Sequence, residues 1–162
     1  MDYTPRKDYW LQTAIQRLTM DGFSLIPDNM FKVVAHRSRF ELSKFGNIET
    51  FYTFHEFDYT DANLLRRFSA DAFNHAMQLK TNPLPCGFFE CVWSFAVAVS
   101  HNVDEVTAQM IKTESPPKHW SAFEMAVCYD APRHGLYYFE QTPVWGAAYY
   151  AGIRNQIKKY LG

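Results

Sequence analysis

The chain has 162 residues, a net charge of −1 and 17% aromatic residues, among them 14 Phe and 10 Tyr. A chain of this length buries roughly two-thirds of its unfolded surface and can hold a core without disulfides or a structural metal. The near-zero charge argues against a generally basic nucleic-acid binder, and no apolar run approaches the roughly 20 residues of a membrane-spanning helix.

The N-terminal segment MDYTPRKDYW lacks the apolar stretch of a secretion signal. Cys86, Cys91 and Cys128 are few and odd in number, which reads as reduced thiols in a cytoplasmic protein. Residues 5–21 carry Leu11, Ala14, Ile15 and Leu18 on one helical stripe, and Gly22 is placed to stop the helix. FSLIP follows as a short strand or an extended link. Residues 31–57 read as a β-hairpin with Gly46-Asn47 as a two-residue turn. That turn sets Phe45 against Ile48, Lys44 against Glu49, Leu42 against Phe51 and Phe40 against Thr53. One face then holds Phe40, Leu42, Phe51 and Phe57 and is expected to be the core face. The other pairs Glu41 with Tyr52, Arg39 with Phe54 and Arg37 with Glu56. A bulge near 35–38 is needed to bring Phe31, Val33 and Ala35 into phase.

Residues 60–79 form the next helix, with Thr60 or Asp61 at its cap and Leu65, Phe68, Ala72 and Ala76 as its stripe. Residues 88–100 are a strand with large side chains at odd positions and small ones at even positions. It carries no charge after Glu90, so it is expected to be central and covered on both faces. HNVDEVTAQMIK is a short helix with Asn102 and Glu105 as a capping pair. Residues 121–129 repeat the large–small pattern, 135–141 is a partner strand, and Thr142-Pro143 opens a last helix reaching about residue 160. The elements run αββαβαββα. They describe a single α+β domain over 1–162, with an antiparallel-rich sheet of about five strands and helices on one face or at its ends. A hairpin followed by a helix occurs twice, which chance similarity between strands or a distant duplication would both explain.

Several constellations are weighed for chemistry. Glu90 and Glu124 share the parity of the small residues in their strands, so neighbouring strands would set both acids on one face, as a metal or acid–base pair. Glu140 lies on a third strand. His119 and Trp120 sit where a loop becomes a strand. No histidine or cysteine spacing builds a metal site, no glycine-rich phosphate loop is present, and no motif names a cofactor. Arg37, Arg39, Tyr52 and Phe54 form the best binding candidate, because aromatic stacking beside basic groups is how single strands of nucleic acid are held on sheets. Cross-strand acids on the same face weaken that reading. The expected function is a small binding or assembly protein without catalysis, self-associating as a homodimer through a sheet face or edge. The alternatives are an enzyme with a carboxylate site at Glu90 and Glu124, metal-assisted or not, and nucleic-acid binding on the hairpin face. No protein or small-molecule partner is specified.

Overall fold

The computed structural model describes residues 4–44, 46–87, 89–144 and 146–162, without the side chains of 4–7 and 148. In chain order the elements are α1 (Thr4–Met20), β1 (Ser24–Ile26), β2 (Val33–Glu41), a 3-10 turn (Leu42–Lys44) and β3 (Gly46–Phe57). Then come α2 (Ala62–Leu79), β4 (Glu90–Ser100), α3 (Glu105–Thr113), β5 (Lys118–His119), β6 (Ala122–Asp130), β7 (Gly135–Tyr137) and α4 (Ala147–Leu161). They make an α+β fold of four helices around one mixed sheet, ordered β1-β2-β3-β4-β6-β5, with β7 also pairing with β6.

The expected antiparallel-rich sheet of about five strands holds roughly, the sheet having seven strands, and two details differ. The outer ladders are antiparallel, but β3, β4 and β6 run parallel through the middle. A parallel pair needs a crossover, and α2 and α3 are those crossovers. The helices therefore cover both faces and are not confined to one. α1 and α4 lie over the face of Ile48, Tyr52, Phe54, Trp93, Phe95, Val97, Met125 and Val127. α2 and α3 lie over Val92, Ala96, Ala98, Ala122 and Cys128. The large–small alternation is thus a division of labour. Bulky side chains fill the space under one helix pair, and small ones let the other pair approach the sheet closely.

Local chemistry sets the helix ends. α1 stops in a Schellman turn, in which the amides of Phe23 and Gly22 donate to the carbonyls of Leu18 and Thr19 while Phe23 and Leu18 pack together. Asp61 caps α2 by accepting from the Leu64 amide at 2.8 Å. Asp104, not Asn102, caps α3, accepting from the Thr107 amide at 2.6 Å. The last helix begins later than Thr142-Pro143, because Gly146 in the left-handed region is its N-cap. Arg154 instead bonds the Gln141 carbonyl and the Thr142 hydroxyl, tying residues 141–142 down as a loop.

The hairpin register also differs. Glu41 pairs with Gly46, Arg39 with Ile48, Arg37 with Thr50 and Ala35 with Tyr52, with no bulge in β2. Gly46 is a strand residue. A Cβ there would lie 2.8 Å from the Phe89 carbonyl oxygen, so glycine lets β3 start against the chain entering β4. The shift exposes Phe40 and Leu42, which were expected in the core. It takes Tyr52 and Phe54 to zero exposure, with Tyr52 stacked on Phe95 at 4.4 Å. The expected Phe45 pairing lies outside the described residues.

Candidate binding cleft

The two ends of the parallel strands are unlike. At their carboxyl ends Thr60 and Val103 bridge the two crossovers, the Thr60 amide donates to the Asn102 carbonyl, and the Thr60 hydroxyl donates to Ser100 Oγ. His101 N donates to the Phe57 carbonyl and Ala131 N to the Ser100 carbonyl, which closes that end. Open α/β sheets place ligands at the carboxyl ends. At the amino ends, by contrast, a cleft of about 460 Å³ is lined by Lys44, Asn47, Phe89, Glu90, Cys91, His119, Trp120, Phe123 and Tyr149, among others.

Its rim is apolar and exposed. Trp120 is 81% exposed and Phe89 72%, with Tyr149 beside them. Phe40 near the end of β2, Leu42 in the turn after it and Leu84 in the α2–β4 loop are exposed at the same end, and Val144, two residues before Gly146, is fully exposed. The other large exposed apolar residues, Tyr9, Met20, Leu25, Met30, Tyr59 and Val106, are spread over α1, β1, α3 and connecting segments.

The floor is polar and buried. Glu90 is 3% exposed and its Oε2 accepts from Asn82 Nδ2 at 2.7 Å and from Asn47 Nδ2 at 3.2 Å. Its neighbour is Glu49, which is fully buried on β3. Glu49 accepts from the Thr81 amide and hydroxyl at 2.7 and 2.8 Å, from the Asn82 amide at 3.2 Å, and from His36 Nε2 at 2.9 Å. Burial works to raise the Glu49 pKa, but hydrogen bonds from Glu90, Thr81 and Asn82 outweigh it and hold the group at about 2. Burial and the hydrogen bond to Glu49 push Glu90 up to about 7. The number of donors decides which acid holds the proton. Glu49 has four protein donors, whereas the Glu90 Oε1 is buried with none.

The expected Glu90–Glu124 pair does not form. Both acids face α2, but Glu124 lies opposite Ser94, four residues along from Glu90, or ~13 Å at strand spacing. Glu124 accepts from Ser69 Oγ at 2.9 Å and lies 2.7 Å from His119 Nε2, whose ring stacks on Phe73. His119 thus lines the cleft with Glu124 behind it, and Trp120 stands on the rim. Glu140 is exposed away from the cleft, its amide donating to the Lys112 carbonyl.

The hairpin candidates separate. Tyr52 and Phe54 are core residues and present no surface for stacking a base. Arg37 bonds Asp21 and Tyr160, lies over the Phe23 ring and stands opposite Thr50, while Glu56 pairs with Lys32. Arg39 is exposed opposite Ile48. Cys91 and Cys128 are raised by burial to about 11 and 12, as befits packed thiols and not nucleophiles. Among the described residues, no group of three His, Cys, Asp or Glu is arranged to hold a metal, and no helix is long and apolar enough to cross a membrane.

Sequence reasoning missed Glu49, His36, Asn47 and Asn82. Glu49 shares the parity of Phe51, but only a parallel β3–β4 ladder turns that parity toward Glu90. No protein-family model, curated protein or solved structure matches the chain.

Proposed function

We propose that the protein is a binding module that takes a small, flat, largely apolar ligand into the cleft at the amino ends of β3, β4 and β6, with an acceptor atom of the ligand turned toward Glu90. The observation that carries this reading is the gathering of exposed aromatic side chains around a cavity whose floor holds a buried carboxyl group, Glu90. Ligand pockets combine apolar walls with a few placed polar groups in this way. Trp120 and Phe89 supply stacking area, and Lys44, ion-paired with Glu41, lies 4.5 Å from the Trp93 ring on the wall. The three free thiols support a reducing, cytoplasmic setting.

A thermal-shift screen of aromatic carbonyl compounds and heterocycles, with divalent metals, nucleotides and oligonucleotides as comparison classes, tests the reading. Aromatic fragments are expected to raise the melting temperature. Trp120→Ala is expected to weaken the best of them about tenfold or more. A flat response to fragments, together with a dimer in solution that Trp120→Ala splits, would assign the collar to self-association instead.

A further inference from the structure

The turn from β5 to β6 brings two side chains to the cleft wall. His119 pairs with Ala122, so Trp120 and Ser121 form a two-residue turn, with Ser121 in the left-handed region at φ 50°. His119 and Trp120 both line the cleft. The His119 ring is fixed by two contacts. Its Nε2 lies 2.7 Å from Glu124 Oε2, and its face stacks on Phe73 of α2 with 3.9 Å between centroids. Glu124 is 5% exposed, and its other oxygen accepts from Ser69 Oγ. A carboxylate only accepts, so in the neutral ring the hydrogen sits on Nε2. Glu124 lines a separate cavity between α2 and α3. The two nitrogens of an imidazole point nearly opposite ways, so Nδ1 is directed away from Glu124, on the side of the cleft. Among the described residues Nδ1 has no hydrogen-bond partner, and the side chain is 30% exposed.

We propose that the cleft takes weakly acidic aromatic ligands, phenols and enols, and that His119 is the base that removes their hydroxyl proton. The ligand O–H bond breaks, its electron pair stays on the oxygen, and the proton bonds to Nδ1. The products are an oxyanion and an imidazolium whose Nε2–H still donates to Glu124. The buried carboxylate holds the tautomer and stabilises the imidazolium without itself taking the proton. Glu124 is thus a positioning residue. An amide in place of the imidazole would make the same tie to Glu124, but it has no basic nitrogen. A rigidly held lone pair beside the ligand is what general-base chemistry needs. Of the other titratable groups on the wall, Lys44 is ion-paired with Glu41, Tyr149 is itself a phenol, and burial pushes the Cys91 thiol up to about 11. Glu90 on the floor has an unpartnered Oε1 and is the competing base.

This inference rests on the ligand-binding reading, and two measurements keep the failures apart. In the protein alone, long-range proton–nitrogen NMR of the imidazole rings, assigned with His119→Gln, should show neutral His119 as one tautomer with its hydrogen on Nε2. A hydrogen on Nδ1, or a mixture of tautomers, overturns the base. The second measurement uses 4-nitrophenol, whose phenolate absorbs at longer wavelength than the phenol. At a pH where the free dye is mostly phenol, dye bound to the wild type should show the phenolate spectrum. Bound to His119→Gln, which keeps an amide donor for Glu124, it should show the phenol. If His119→Gln does not melt cooperatively, His119→Phe, which keeps a ring against Phe73, takes its place. Glu124→Gln should lower the ratio of bound phenolate to phenol about tenfold or more at saturating dye, which a merely structural role would not do. A dye that stays phenol in the wild type, or phenolate that persists in His119→Gln, overturns the proposal. Phenolate lost only in Glu90→Gln would move the base to Glu90. Failure of 4-nitrophenol to bind counts against the cleft as a ligand site, and the NMR result still decides whether His119 presents a base.

Discussion

At the scale of the residue, Glu49 and Glu90 differ only in how many donors reach them, and that difference sets their charge. Glu49 collects two backbone amides, a hydroxyl and an imidazole, which favour its charged form, whereas Glu90 has only the side-chain amides of Asn82 and Asn47 on one oxygen and nothing on the other. The consequence for stability has a definite sign. The folded-state pKa of Glu90 lies above its ordinary 4.5, at about 7. Its contribution is therefore full below about 4.5 and is lost as pH rises to about 7. Glu49 works in the opposite sense, contributing above about 4.5 and losing that contribution as pH falls toward about 2. We expect unfolding free energy, measured by urea titration over a pH series, to decline from about pH 4.5 to 7 by on the order of 3 kcal/mol from this site. Glu90→Gln should flatten that decline. A wild-type curve that rises through the same window would show that Glu90 does not hold the proton. Neither acid reveals this from its own position in the chain, because their donors come from Thr81, Asn82, Asn47 and His36, up to 43 residues away.

At the scale of the element, single helices and strands were legible wherever one face had a clear period. α1, α2 and β4 lie within two residues of where their apolar stripes place them, and Asp61 caps α2 as expected. The hairpin was not, because Gly46-Asn47 has the chemistry of a tight turn. The glycine is needed instead for close approach, since its missing Cβ leaves room for the Phe89 carbonyl, which accepts from the Asn47 amide at 2.8 Å. Gly46→Ala should cost about 1–3 kcal/mol, as overpacking against a fixed backbone does, seen as a lower urea midpoint with an unchanged slope. Because Gly46 also lines the cleft, the same variant should weaken any fragment that binds there. The start of α4 was misread for a related reason. Thr142-Pro143 is a sound opening signal, but the loop is claimed by Arg154 and the helix waits for the left-handed Gly146.

At the scale of the whole molecule, the sheet is a septum between two differently built cores. On the α1–α4 side Phe95, Tyr52 and Tyr160 interlock as rings, and Phe95→Ala should destabilise by about 3–5 kcal/mol, read in calorimetry as a lower melting temperature. A loss under about 1 kcal/mol would mean that this layer is not the packed core. The carboxyl ends of the parallel strands are stitched shut by Thr60, Ser100 and Asn102, so the amino ends are left to hold the cleft. The sequence by itself determined the mixed α/β composition, the central place of residues 90–100, the alternation of large and small side chains, and Glu90, His119 and Trp120 as residues to watch. Those features follow from local period and from side-chain size, which the chain carries with it. Only the tertiary structure decided that β3, β4 and β6 run parallel, that both faces are covered, and that Glu90 meets Glu49 instead of Glu124. Strand direction and register depend on which crossovers bury the most surface, a property of the assembled chain that no single segment contains.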